Sequence, residues 1–451
     1  MVKLRRHLLW LHPGMHVKRW VALACVGFLM FMIGTGVIIQ AHHGTPPLSV
    51  RVAQWIILHL HAGIRPGTFG LLLTLLGGSL AILGMGKLIV SLTSAIEPEM
   101  RAGGLVDVIY QRRRLSMGHK IVVIGGGTGL STMLRGLKRH TSNITAIVTV
   151  ADDGGSSGKI RKQLNILPPG DIRNCLVALA DSETQMTELF QYRFRNSVRP
   201  EDLTSPRHGV EGYGEGLRDH AFGNLLIAAM CAINNGDFEQ AVRQTSRVLN
   251  IRGRVLPSTV TPVHLRGELE DGSVLDGETR IAESPLKIKR VRLMPITPDE
   301  PICPVDEALD AIATADVIVL GPGSVFTSIL PNLLVPGIAE ALVKSRAKRV
   351  YVCNVMTQPG ETDGFSAADH VRAIEEHTQH GVFQFVLVNV ATPDTALLEK
   401  YRKTGSVLVE PDLERIRAQG YRPLSGNFIH ETEVVRHDAE QLATAIIGML
   451  N

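Results

Sequence analysis

The chain is short of charge, of paired cysteines and of repeats, and each shortage removes a class of function. Only 20% of its 451 residues are charged, and the formal net charge is +4. No basic stripe with interleaved aromatics occurs, so nucleic acid is not an expected partner. The five cysteines, Cys25, Cys175, Cys231, Cys303 and Cys353, form no C-x-x-C pair and have no histidine at metal-ligand spacing. They read as reduced residues of the core, and nothing beside them lowers a thiol pKa as a nucleophile requires. No internal repeat and no low-complexity tract is present.

Apolar residues are abundant, at 45% of the chain, and the excess lies at the N-terminus. Residues 20–40 and 67–86 carry no charge over lengths that cross a bilayer, so two transmembrane helices are expected, at about 20–40 and 67–90. The first is too long, and too far from any small-residue cleavage site, for a signal peptide. Lys3, Arg5, Arg6, Lys18 and Arg19 precede the first span and Arg112, Arg113, Arg114 and Lys120 follow the second, against only Arg51 and Arg65 between them. That asymmetry places both ends in the cytoplasm, giving a multi-pass cell-membrane protein whose main domain faces the cytosol. Residues 50–60 are apolar enough to lie in the outer interface. The organisation read from this is a membrane anchor over 1–99, a basic juxtamembrane linker over 100–118 and a body over 119–451.

The body opens with KIVVIGGGTGLS at 120–131, an apolar strand running into a glycine-rich turn and a helix expected over about 130–139. Glycine lets the backbone approach a pyrophosphate, and the N–H groups at the helix start complement its charge. Gly125, Gly126, Gly127, Thr128 and Gly129 are therefore phosphate-binding candidates, although Leu130 stands where a G-x-G-x-x-G pattern has its third glycine. A second apolar run at 143–150 completes a strand–helix–strand unit and ends in a loop bearing Asp152, Asp153, Ser156, Ser157 and Lys159. The two carboxylates are candidate Mg²⁺ ligands, and the hydroxyls and lysine suit a phosphate.

Further polar clusters follow. Asp171 stands where it can cap an apolar helix or contact the ligand, with Arg173 and the further ligand candidate Asn174 in the first turn. His220 is the best general-base candidate by residue type, and Asn224 lies just beyond it. A second strand–glycine–helix passage supplies Gly321, Gly323, Ser324 and Thr327 and reads as a second anion-binding turn. Asn354 opens the loop after the apolar run 350–353, at the same sheet edge. Residues 197–216 read as a mobile loop near the site, and 265–291 as a small antiparallel subdomain.

IGGGTGLS, TVADDGGSSGKIR, PPGDIRNCLVALAD, HAFGNLL, LGPGSVFTSILPNLL and YVCNVMTQPGETDG closely resemble, in order, the motifs of the YvcK/CofD-like family. The resemblance is stronger to the YvcK branch, the gluconeogenesis factors, than to the CofD branch of 2-phospho-L-lactate transferases. It implies a Rossmann-like α/β fold with a parallel sheet, helices on both faces and, for the YvcK branch, binding of UDP-sugars such as UDP-N-acetylglucosamine. It also implies a regulatory role in cell shape and wall metabolism during gluconeogenic growth, with a protein partner reading the bound state. The CofD branch implies instead Mg²⁺-dependent transfer of a phospholactyl group from a nucleotide-activated donor. Asp219 departs from the family, standing where a glycine is more usual. The first glycine turn by itself also admits an NAD(P) cofactor, and the reading leaves room for a homo-oligomer.

Overall fold

The computed structural model describes residues 17–40, 66–96, 105–181, 183–194, 217–431 and 434–450, in two units divided between Arg113 and Arg114. The segments 50–60 and 197–216, expected as an interfacial stretch and a mobile loop, lie outside the described residues.

The first unit holds the helices Val17–Gln40 and Pro66–Ile96. Within them Arg19–Ile39 and Gly67–Ile89, 21 and 23 residues, are long and apolar enough to cross a membrane. They run antiparallel and touch along glycines spaced by seven, Gly27 and Gly34 on one helix against Gly70, Gly77 and Gly84 on the other. A Cβ on Gly27 would stand 2.7 Å from the Gly77 carbonyl oxygen, and one on Gly77 equally 2.7 Å from that of Gly27. Small residues are what let two helix backbones come this close, since lipid provides no hydrophobic drive for helix pairing. Gly77→Leu is therefore expected to separate the pair at a cost of about 2 kcal/mol. The distance between spin labels on Ile39→Cys and Gly67→Cys, two exposed positions, in a background with the exposed Cys25 and Cys303 replaced by Ser, should then lengthen by several ångströms; an unchanged distance contradicts the glycine contact.

The second unit is built on a seven-stranded parallel sheet in the order β10-β9-β8-β7-β1-β2-β3. Its strands are β1 Ile121–Gly125, β2 Ile144–Val148, β3 Arg254–Pro257, β7 Val317–Leu320, β8 Lys348–Val352, β9 Phe385–Asn389 and β10 Arg422–Gly426. Alternate residues of β1 serve two separate cores: Val122 and Ile124 pack with Leu265 and Phe326, while Ile121 and Val123 pack with Leu134 and Leu176. Helices cover both faces, which is why these strands read as unbroken apolar runs. The expected antiparallel subdomain is present as β4 Val263–Leu269, β5 Val274–Asp276 and β6 Ile288–Pro295, ordered β5-β4-β6. A short hairpin, β11 Ile429–Glu431 with β12 Val435–His437, precedes the helix Ala439–Gly448.

Several local readings change. The helix after β1 spans Gly127–Leu137 and so starts inside the glycine turn, because Gly127 adopts a left-handed φ of 68°. Ser156, Ser157 and Lys159 lie in the first turns of a helix, Gly155–Leu164, and not in a loop. Most of the stretch read as a linker carries the helix Leu105–Ser116. Cys175, Cys231 and Cys353 are buried thiols as expected, but Cys25 and Cys303 are exposed. Cys303 lies on the segment just before the helix Asp306–Thr314, outside the packed layers.

Candidate functional site

From β1 the chain proceeds outward to β2 and β3, and from β7 in the other direction to β8, β9 and β10, so the strand order reverses between β1 and β7. Ligands of open α/β sheets bind at the carboxyl ends of the strands flanking such a switch. Both glycine turns stand there. The first runs into a helix whose N-cap, Gly126, provides no side-chain hydrogen bond, and whose first turn holds no acid. Its leading N–H groups are the kind of donors that anions use.

The two turns are pressed together. A Cβ on Gly129 would lie 2.6 Å from the Pro322 carbonyl oxygen, and one on Gly125 would lie 3.7 Å from the Cα of Gly321. The second turn differs from the expected phosphate cradle. Ser324 caps its own helical turn by accepting the Thr327 N–H at 3.1 Å, and its hydroxyl donates to buried Glu361. Thr327 also reaches Glu361, at 3.5 Å, and the Gly323 N–H donates to Asn354 Oδ1 at 3.2 Å. This turn thus buttresses the first, with the Ser324 and Thr327 hydroxyls turned to Glu361 and the Gly323 N–H to Asn354.

Asp171 does not cap its helix, whose N-cap is Pro169 with no side-chain bond. Its carboxyl crosses instead to the first turn, where a Cβ on Gly126 would come within 2.5 Å of it and where it accepts the Gly127 N–H. Burial, reinforced by Asp152, pushes Asp171 up to about 7 against the opposing pull of Gly127 and Arg173. Burial likewise raises Asp152, with the Gly154 N–H at 2.8 Å opposing. Glu278 completes the group and is pushed up to about 9, first by burial and then by Asp152, Asp171, Asp153 and Glu361. Asp153 holds the base of this cluster, accepting the Thr279 N–H at 2.9 Å and its hydroxyl at 2.7 Å.

Among the described residues no three His, Cys, Asp or Glu side chains are placed to hold a metal ion. A Mg²⁺ at Asp152 and Asp153 would therefore take most of its ligands from phosphate and water, which is usual for this ion.

Behind the cluster runs a buried polar chain. Ser156 Oγ lies 3.2 Å from His220 Nδ1 and accepts from Asn224 Nδ2 at 3.0 Å; Arg173 donates to Asn224 Oδ1 at 2.9 Å and to Asn174 Oδ1 at 3.0 Å. Gln191 donates to the same Asn174 oxygen at 3.0 Å. His220 is buried and burial lowers its pKa, so it is a neutral member of this chain, away from the cavity described next. Asp219, beside it, takes a left-handed φ of 64°, the conformation that a glycine adopts freely. Lys159 is exposed.

A cavity of about 460 Å³ opens beside Thr128 and Gly129. Asn174 and Asn354, both expected in the site, line it, together with Gln191, Arg135, Arg436 and Tyr401; among the described residues no carboxylate does. Tyr401 holds the β11–β12 hairpin in place by accepting the Val435 N–H at 3.1 Å. His437 also faces the cavity, and burial pushes it down to about 4.

The sequence reading missed Glu278, Glu361, Gln191, Arg135, Tyr401, Arg436 and His437. Glu278 belongs to the DGSVLDGE stretch read only as a hairpin, and Glu361 to a loop correctly assigned to this edge. The remainder carry no local signal.

Comparison with known proteins agrees with this architecture. Residues 121–429 match the family model described as 2-phospho-L-lactate transferase CofD. A gluconeogenesis factor of Bacillus subtilis is 46% identical over 332 residues, covering 73% of this chain and 98% of its own. A gluconeogenesis factor of Halalkalibacterium halodurans is 48% identical over 328 residues, 72% of this chain and 95% of its own. A crystal structure of a UPF0052-family protein from Bacillus halodurans, 47% identical, superposes with a TM-score of 0.66 over 73% of this chain and 99% of that one. A body of this kind thus folds without the two N-terminal helices. By its motifs, its sheet and these relatives, the chain belongs to the CofD/YvcK family, among the gluconeogenesis-factor homologues.

Proposed function

We propose that this protein is a membrane-tethered regulator that binds a UDP-sugar of the UDP-N-acetylglucosamine kind and supports cell shape and wall metabolism during gluconeogenic growth. The observation that carries the reading is the cavity at the switch point. It joins a glycine-opened helix start, suited to a diphosphate at the N–H groups beyond the one that Asp171 accepts, to the amides of Asn174, Gln191 and Asn354, suited to sugar hydroxyls. Arg436 adds positive charge, whereas Arg135 is paired with Glu183 at 2.5 Å. The name of the Bacillus subtilis relative supports the gluconeogenic context. Two apolar helices, flanked by cationic residues, support placement in the cell membrane with the body on the cytoplasmic side.

A second reading, Mg²⁺-dependent transfer of a phosphate-linked group, is favoured by one feature. Asp152, Asp171 and Glu278 crowd beside the first turn with raised pKa values, the condition in which carboxyls hold or release protons near neutrality.

Calorimetric titration of residues 114–451 with UDP-N-acetylglucosamine, GDP, GTP and NADP, with and without Mg²⁺, separates these readings. Tight UDP-sugar binding without product is the expected result. A Mg²⁺-dependent preference for a guanine nucleotide, with turnover on a deazaflavin acceptor, transfers the assignment to the transferase. Preference for NADP overturns both.

A further inference from the structure

The opposite edge of the sheet carries a second polar pocket, which the nucleotide reading does not use. The parallel strands β8, β9 and β10 begin there, at Lys348, Phe385 and Arg422. Their leading residues and the turns before them enclose about 500 Å³, a volume suited to a glycerophosphate-sized group. Arg346, Lys348, Arg349 and Arg422 line it, and among the described residues no carboxylate does.

Among the described residues none of these four cations forms an ion pair with Asp or Glu. Lys348 donates to the Met449 carbonyl oxygen. Arg422 lies 5.9 Å from the Phe385 ring. Arg349 is only 7% exposed, and one of its terminal nitrogens donates to the Ser345 carbonyl oxygen at 2.5 Å. Its Nε is buried with no partner. A buried guanidinium with an unmet donor is costly to maintain without an anion nearby. Glu375, bonded to the pocket's His380 at 2.6 Å, and Asp316, whose carboxylate accepts the Lys120 N–H at 2.8 Å, are engaged elsewhere.

We propose that this pocket binds the phosphate of an anionic membrane-lipid headgroup, forming an attachment separate from the nucleotide cavity at the other edge. The choice of a lipid as the source rests on the membrane-tether reading; the cation pocket does not.

The test uses residues 114–451 and co-sedimentation with vesicles of phosphatidylglycerol and phosphatidylcholine in equal parts, against phosphatidylcholine alone. Wild-type body should sediment only with the anionic vesicles. Arg346→Gln/Arg422→Gln, which changes two exposed side chains, should weaken this about 30-fold, from about fivefold per cation at the surface. Arg247→Gln/Lys287→Gln, which removes the same charge elsewhere, should bind as wild type. Equal losses in both variants, or no sedimentation of wild type, overturn the proposal. Displacement by free glycerol phosphate at low concentration overturns the lipid source and assigns the pocket to a soluble phosphate. Alkaline extraction of the full chain from membranes tests the tether independently, so the two failures are distinguishable.

Discussion

Gly129→Ala is expected to abolish measurable nucleotide binding, while Gly125→Ala, four residues earlier in the same turn, is expected to leave most of it. The added methyl at 129 would stand 2.6 Å from the Pro322 carbonyl oxygen and 3.0 Å from its carbonyl carbon. Both are backbone atoms of the second glycine turn, so no rotamer change relieves the overlap and the two turns must separate. A displacement of about 1 Å at a positioned ligand group costs on the order of 100-fold in function, and overpacking costs about 1–3 kcal/mol of stability. At Gly125 the new methyl would meet Leu130 Cδ1 at 3.4 Å and the Gly321 Cα and nitrogen at 3.7 and 3.8 Å, all ordinary contacts. Titration calorimetry and thermal unfolding of both variants read the difference. Equal behaviour would mean that the contact between the turns does not hold the first turn in shape.

The second large effect is on pH. The folded body should lose stability as pH rises from about 7 to about 9, the reverse of a protein stabilised by ionised carboxylates; below that window buried His437, held down to about 4, opposes the two acids. Asp171 and Glu278 have folded pKa values of about 7 and about 9, above the ordinary 3.8 and 4.5. Between the unfolded and folded values the native state binds more protons than the unfolded chain, so the stability slope with pH is negative. Each group contributes a slope of at most about 1.4 kcal/mol per pH unit within its own window. Below about 7 both groups act, and between about 7 and 9 only Glu278 does. Glu278→Gln should therefore flatten the upper limb, and Asp171→Asn only the lower one, in denaturant titrations across this range. Stability that rises with pH in the wild type would show these acids to be ionised in the folded state. The same sign governs ligand binding, since protonation of Asp171 and Glu278 lowers the negative charge that a diphosphate meets. Affinity should accordingly strengthen on the acidic side of neutrality.

Much of the architecture was legible along the chain. The unbroken apolar runs of β1, β2, β7 and β8 are the pattern of strands buried on both faces, and the two cores that divide Val122 from Val123 show why alternation is missing. The glycine turns were legible because close backbone approach leaves glycine little substitute. Side-chain roles were read less well. Asp171 looked like a helix cap from its position, yet it serves the turn of a different element, because the parallel sheet brings β1 and the Gly170–Leu179 helix together. Ser324 and Thr327 looked like ligand groups, yet buried Glu361 engages both, an acid whose raised pKa follows from burial. Cys303 looked like core by residue type and is exposed, since it lies on a connecting segment.

What the sequence determined by itself is local and periodic: two uncharged spans, a run of buried strands, glycines where backbones must approach, and an antiparallel insert. Each of these is set by forces acting within a few residues, namely side-chain burial pattern and backbone freedom. The tertiary structure alone decided which polar groups share a site. Glu278 reaches Asp152 from the far antiparallel insert, and Arg436 and His437 reach Thr128 from the last hairpin. No periodicity encodes such meetings, because they depend on strand order, and strand order is settled by how both faces of one sheet are covered at once.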